Sequence, residues 1–253
     1  MFDLSGKTAL ITGAGRGMGV GIARCLASAG ASVIINDISE RSAHRTAEQL
    51  QSEGFEAKPL AFDVTSLEDF EEAIRSLGGV DILVSNAGIV RVSQPGDHFA
   101  RFADSRPESW QAQFDLNVFG VMNGVRAVLP GMRKNAWGRI VTVSSDSGRK
   151  GGEGLSIYAS AKAAGLEFTK CVAVEEGANG VTANTVSLGL MENAAQTNDE
   201  QLKAYFDSLL ARTPVARPGT GHDVGAAITY LCSNEAAWVT GQNLPVNGGF
   251  DTF

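Results

Sequence analysis

Tyr158 and Lys162 lie four residues apart in Tyr158-Ala159-Ser160-Ala161-Lys162, which opens a helical segment. Positions i and i+4 share a helix face. An ammonium beside a phenol favours the phenolate and lowers its pKa from about 10 toward neutrality. A phenol tuned this way can trade a proton with an alcohol or ketone oxygen. Such pairs are common on helix surfaces, so this one needs support from elsewhere. Ser144-Ser145 ends an apolar β-type run, and a hydroxyl there can hydrogen-bond a reacting oxygen. In isolation it reads better as a turn serine before Gly148. No Gly-x-Ser-x-Gly surrounds either serine, which argues against a nucleophilic hydrolase.

A second constellation lies near the N-terminus. The run Thr8-Ala9-Leu10-Ile11 leads into Thr12-Gly13-Ala14-Gly15-Arg16-Gly17-Met18-Gly19 and then a helical pattern. Glycine is needed where backbone must approach a pyrophosphate, and a helix N-terminus supplies N–H donors. The strict G-x-G-x-x-G fails at Met18; the spacing present is G-x-x-x-G-x-G, at residues 13, 17 and 19. Alone, it also fits a tight strand-to-helix turn. Asp37 follows Gly17 by 20 residues, where an acid would accept from an adenosine ribose. A carboxylate there repels a 2′-phosphate and favours NAD(H) over NADP(H), while Arg16 in the turn is the counter-signal. Asp63 either accepts from an adenine amino group or caps its turn. Ser85-Asn86-Ala87-Gly88 suits a strand end where a ligand or loop comes close. Asn117 interrupts an amphipathic helix (Trp110, Phe114, Val118, Val121, Val125) and would face solvent or bond locally.

The elements that must position these residues alternate along the chain. Apolar β-branched runs occur at 8–11, 33–35, 60–62, 82–84, 140–143, 182–186 and, weakly, 243–246. They are nearly continuous, as strands buried on both faces should be. Helical patterns fall at 17–30, 40–53, 66–77, 107–133, 157–177 and 223–233. Ser39 and Ser66 suit N-caps, and Pro107 suits a first helical turn. This repetition predicts an α/β fold of one Rossmann domain over 1–253: a doubly wound parallel sheet of about seven strands with helices on both faces. Two segments depart from the alternation, 89–106 and 188–222, the latter with an amphipathic piece from Asp199 to Arg212. Both follow strands, so both sit at the carboxyl edge, where open α/β sheets bind ligands. The 188–222 segment is expected to act as a substrate lid.

Composition narrows the classes. The chain has 253 residues, 43% hydrophobic and 19% charged, with a net charge of −7. That excludes wholesale disorder, and the acidic balance argues against a nucleic-acid partner. Cys25, Cys171 and Cys232 form no CxxC pair, as expected in a reducing compartment. His44, His98 and His222 lie too far apart for a local zinc motif, so no metal is expected. No signal peptide and no membrane span are read, and a cytoplasmic protein is expected.

Taken in order, these residues resemble the short-chain dehydrogenase/reductase family over nearly the whole chain. The resemblance runs from Lys7-Thr8-Ala9-Leu10-Ile11-Thr12-Gly13 through Asn86-Ala87-Gly88, Asn117, Ser145 and Tyr158-x-x-x-Lys162 to Val246-Asn247-Gly248-Gly249. It implies Tyr158 as general acid/base, Ser145 holding the substrate oxygen, Lys162 on the nicotinamide ribose and tuning Tyr158, and Asn117 anchoring a water. For the coenzyme, NAD, it implies Gly13, Arg16, Gly17, Met18 and Gly19 at the pyrophosphate and Asp37 with Ile38 at the adenosine. Asp63 and Val64 would meet the adenine, and Asn86, Ala87 and Gly88 the cleft. Gly189, Met191 and Asn193 would lie at the nicotinamide, where Leu188 and Asn193 depart from the family's Pro-Gly and threonine. The implied reaction is hydride transfer with a secondary alcohol or ketone in a homotetramer or homodimer. The alternatives are an NADPH-dependent 3-oxoacyl-carrier-protein reductase and a non-catalytic dinucleotide sensor. Ser147, Glu153, Leu155, Leu190, Met191, Tyr205 and Phe206 are candidate mouth residues, suited to a medium-sized apolar or cyclic alcohol; His98, Phe99 and Phe102 also could shape the mouth.

Overall fold

The structure is a computed structural model and describes residues 1–88, 101–192 and 200–252. Seven parallel strands form one sheet in the order β3-β2-β1-β4-β5-β6-β7. They are β1 Thr8–Ile11, β2 Ser32–Asp37, β3 Ala57–Ala61, β4 Ile82–Ser85, β5 Gly138–Ser145, β6 Val181–Leu188 and β7 Asn243–Val246. The helices are α1 Met18–Ser28, α2 Glu40–Ser52, α3 Leu67–Leu77, α4 Pro107–Phe114, α5 Gly120–Asn135, α6 Ser156–Glu176, α7 Glu200–Leu210 and α8 Gly221–Cys232. The expected doubly wound Rossmann fold is therefore present.

Alternation along the strands feeds two cores. Ile11, Val33 and Ile35 face one side, with Ile22 and Leu26 of α1 and Val224 and Ile228 of α8. Leu10, Ile34 and Leu83 face the other, with Phe70 of α3 and Val125 and Met132 of α5. Successive strand residues point to opposite faces, so a run such as Leu10-Ile11 must be apolar throughout to serve both. Each such fully buried aliphatic side chain contributes about 1.5–3 kcal/mol.

The helix starts follow the capping residues. Ser39 accepts from the Ser42 N–H and Ser66 from the Asp69 N–H. Thr220 and Asp223 form a reciprocal capping box at α8. Strand ends shift by a few residues from the apolar runs: β3 begins at Ala57 rather than Leu60, and β5 reaches Ser145. The larger difference is in the segment expected as one helix over 107–133. It divides into α4 and α5 around a π-helical turn at Asp115–Phe119.

The strand order reverses between β1 and β4, each of which pairs in register with the other: Ala9 with Ile82, Ile11 with Val84. At that reversal the connections leave the sheet on opposite faces and open a crevice at the carboxyl edge. The candidate residues gather there.

Candidate active site

The coenzyme end is built from backbone held by buried amides. Gly13 has φ +63°, and a Cβ on it would stand 2.8 Å from the Cα of Ala87. Only glycine allows this approach. Thr12 Oγ1 accepts from the backbone N–H groups of Asn86 and Ala87, both at 3.0 Å. Asn86 returns two bonds, its Nδ2 donating to the carbonyls of Thr12 at 2.9 Å and Gly13 at 3.2 Å. Asn36, 1% exposed, donates to the carbonyls of Leu60 and Phe62. The turn is thus braced by β2 and β4 before α1 begins at Met18. Asn36 and Thr12 were not among the expected site residues; only their place at strand ends marked them.

Asp37 lies against the turn, since a Cβ on Gly15 would stand 2.7 Å from its Oδ2. Its Oδ1 accepts from the Ser39 N–H at 3.0 Å, which fixes the carboxylate. Arg45 of α2 donates to the Gly15 carbonyl at 2.9 Å, another residue the sequence did not single out. Ile38 is 68% exposed at the rim. Asp63 closes a local turn, its Oδ1 accepting from Thr65 N–H and Oγ1, and it also lines the cavity.

Beyond the turn, β5 ends at Ser145 and α6 carries Tyr158 and Lys162. Tyr158 hydrogen-bonds Ser145. Lys162, 7% exposed, donates from Nζ to the Val143 carbonyl at 3.0 Å. A Cβ on Gly88 would stand 2.8 Å from both Lys162 Nζ and Asn117 Oδ1, so those two atoms meet over one glycine. Asn117 is 2% exposed and donates to the Gln113 carbonyl from inside the π-turn. It therefore bonds locally rather than facing solvent, and the wide turn aims its Oδ1 at the lysine. Turns of this kind concentrate at functional sites.

The electrostatics correct one expectation. The Tyr158 phenol lies above its ordinary value, not below it: burial raises it, and the Ser145 hydrogen bond offsets only part. Lys162 is displaced too, its pKa pushed down to about 8 by burial. Its ammonium is 5.9 Å from the Tyr158 ring centroid and spends a proton on Val143.

One cavity of about 1260 Å³ joins both ends. It is lined by Gly13, Arg16, Gly17, Met18, Gly19, Asp37, Ile38, Asp63, Val64, Asn86, Ala87 and Gly88 on one side. Ser145, Tyr158, Lys162, Gly189 and Met191 line the other, together with every mouth candidate from Ser147 to Phe206. Asn193, His98 and Phe99 lie outside the described residues. Phe102 is not at the cavity; it is 54% exposed and stacks on Trp110 at 5.1 Å. The polar cluster Asp146, Asn247 and Asp251 was missed. Asn247 Nδ2 donates to Asp146 Oδ2 at 2.7 Å and to the Asp251 carbonyl at 3.0 Å, a contact across about a hundred residues that no local pattern announces.

A braced glycine turn at a helix start, joined by one cavity to a half-buried Tyr–Ser pair and a buried lysine, defines a dinucleotide-dependent oxidoreductase. Residues 13–251 match the family described as Enoyl-(Acyl carrier protein) reductase. The chain is 40% identical to the 3-oxoacyl-(acyl-carrier-protein) reductase FabG of Vibrio cholerae, over 98% of both. It is 38% identical to that of Escherichia coli over the same share. Among solved structures it resembles a gluconate 5-dehydrogenase from Burkholderia cenocepacia in complex with NADP and tartrate. The TM-score is 0.89 at 34% identity, covering 98% of this chain and 96% of that one. The chain belongs to the short-chain dehydrogenase/reductase family. It is an oxidoreductase that uses a nicotinamide dinucleotide, and its relatives favour the 3-oxoacyl reductase alternative over the alcohol dehydrogenase reading.

Proposed function

We propose that the protein reduces the 3-oxo group of an acyl thioester to a secondary alcohol. The observation that carries the chemistry is the meeting of Tyr158, Ser145 and Lys162 at one end of the cavity, with buried Asn117 next to Lys162 over Gly88. The substrate class is supported by the named relatives at 38–40% identity. The glycine cradle fits a pyrophosphate, because Gly13 and Ala87 leave no room for a side chain between them. Gly13, Arg16, Gly17, Met18 and Gly19 would hold it, with Asp37, Ile38, Asp63 and Val64 around the adenosine. Asn86, Ala87, Gly88, Gly189, Met191 and Asn193 would line the cleft toward the nicotinamide. When bound, the reduced nicotinamide supplies the hydride.

This chain's own residues manage the proton. Ser145 holds the carbonyl oxygen, and Tyr158 donates its phenolic proton to that oxygen as the carbon is reduced. A phenol raised by burial stays protonated throughout the neutral range, which suits a donor and hence the reductive direction. Lys162, still mostly cationic at pH 7 with a pKa of about 8, steadies the phenolate left behind and binds the ribose. Asn117 holds a water through which the proton is restored. Among the described residues no helix is long and apolar enough to cross a membrane. A cytoplasmic homo-oligomer fits this reading, with Trp238 and Val174 as exposed apolar surface for a second copy.

The coenzyme signals conflict. NADP in the Burkholderia neighbour supports NADP(H), with exposed Arg16 meeting the extra phosphate. Asp37, fixed against Gly15, supports NAD(H). A carboxylate fixed beside the glycine turn repels a 2′-phosphate, whereas an exposed arginine pair returns only about 0–1 kcal/mol. We take NAD(H) as the coenzyme. The same observation favours a second reading, an NAD(H)-dependent dehydrogenase of a free secondary alcohol.

Titration with NADH and NADPH, followed by assay on acetoacetyl-coenzyme A, tests both points. At least tenfold tighter NADH binding supports Asp37 as the selector, and tighter NADPH binding rejects it. Oxidation of reduced coenzyme by acetoacetyl-coenzyme A supports the thioester reading. Turnover of free secondary alcohols without it moves the second reading ahead.

A further inference from the structure

The end of the cavity beyond Ser145 carries charge that the hydride-transfer chemistry does not use. Lys150 and Arg212 come from segments far apart in the chain and converge on one ring. The Lys150 ammonium lies 4.0 Å from the Phe250 centroid and the Arg212 guanidinium 5.1 Å from it, and all three residues line the cavity.

The carboxylates at this end are already matched. Glu153 is paired with Arg101 at 2.8 Å. Asp251 faces Lys150 at 3.6 Å, a separation that leaves the ammonium free to hydrogen-bond elsewhere. Asp146 has Arg149 at 3.8 Å and the Asn247 amide on its other oxygen. Arg212 is the charge in excess: among the described residues no carboxylate lies within ion-pair distance of it. Its field reaches Tyr205, another cavity-lining residue, where it opposes the upward effect of burial on the phenol. A guanidinium that packs on an aromatic ring without a carboxylate partner keeps N–H donors available for a planar anion.

We propose that this end of the cavity binds a carboxylate on the substrate, through Arg212 with Lys150 beside it, so that the preferred substrate carries a carboxylate remote from its reacting carbon, whether or not it is also a thioester. This deepens the reading of the cavity as the hydride-transfer site and rests on it, but not on the choice of coenzyme or thioester. It differs from the apolar or cyclic alcohol expected from the mouth residues. The mouth residues mix apolar Leu155, Leu190, Met191 and Phe206 with polar Ser147, Glu153 and Tyr205, and Lys150 and Arg212 are not among them.

Two measurements on the full chain with reduced coenzyme present test it. The first is calorimetric binding of glutarate against dimethyl glutarate, which needs no turnover. The second is kcat/KM for 5-oxohexanoate against its methyl ester. The acid is expected to be favoured roughly tenfold in each, the scale of one charge-assisted pair. Arg212→Gln should bring the acid-to-ester ratio near unity through KM, and Arg212→Lys should restore part of it. Equal binding of glutarate and its diester by the unaltered protein overturns the proposal. So does an Arg212→Gln protein that melts lower but keeps the full preference, since Arg212 would then only pack on Phe250. If no ketone is reduced, the function above fails, and the glutarate measurement still decides this inference.

Discussion

At the glycine-turn end of the cavity, Thr12, Asn36 and Asn86 direct their polar atoms to backbone. At the end beyond Ser145, Asp146, Lys150, Asn247 and Asp251 direct theirs largely to one another. The first arrangement fixes the path of the main chain and leaves its N–H groups to face a ligand. It depends on a few glycines and on the amides and hydroxyl that brace them, not on charges aimed at a substrate. The second fixes charges in space while the main chain under them comes from loops and the C-terminal segment. One end can therefore serve any reaction of a dinucleotide, and the other must be rebuilt for each substrate. Binding that is common and binding that is particular are kept in separate parts of one cavity.

That division can be broken at three places. The largest effect is expected from Tyr158→Phe, which removes the proton donor and leaves both ends intact. The rate should fall by roughly 10²–10⁴-fold, with coenzyme affinity unchanged in a parallel titration. Loss of coenzyme binding in that variant would mean the two ends are not separable.

Next comes Gly13→Ala, which attacks the main-chain end. The positive φ and the 2.8 Å approach to Ala87 should together cost about 2–4 kcal/mol. Thermal unfolding and coenzyme titration should both register it. A variant with full stability would show that the turn is less tightly braced than its hydrogen bonds imply.

The smallest expected change is at Lys162, where the ends meet. Its folded pKa of about 8 lies below the ordinary 10.5, so burial penalises the charged form. The unfolded chain holds the extra proton between those values, so this residue's contribution makes stability rise with pH across that window. Below about pH 8 the penalty is present in full, of order 3 kcal/mol. Lys162→Met should therefore be more stable than the parent at pH 7 by about 2–3 kcal/mol, and the gap should narrow toward pH 10. Denaturant titrations at the two pH values check the sign. A gap that widens with pH would contradict the burial of the ammonium.

The same contrast explains what was legible in the residues. Apolar runs, capping serines and the glycine turn are local patterns, and each marked its element to within a few residues. Tyr158 and Lys162 share one helix, and their spacing was enough to pair them. The braces at Asn36 and Asn86 act across the sheet, so a sequence shows only an amide at a strand end. The Asp146–Asn247–Asp251 cluster joins the loop after β5 to the C-terminal segment, and no spacing encodes that. The direction of the Tyr158 shift is illegible in the sequence for a related reason. Spacing reports which charges are neighbours, but the depth of burial, which dominates here, is a property of the whole fold.

The π-helical turn at Asp115–Phe119 can also be read as a phase marker. An α-helix advances about 100° per residue, so one surplus residue sets the two flanking helices in different angular frames. α5 keeps its register against the sheet whatever happens upstream. Deleting a single residue from the turn would make the helix more regular and rotate everything before it, carrying Asn117 away from Lys162. The protein would keep its core and lose its alignment, as a sentence keeps its letters and loses its words when the reading frame slips.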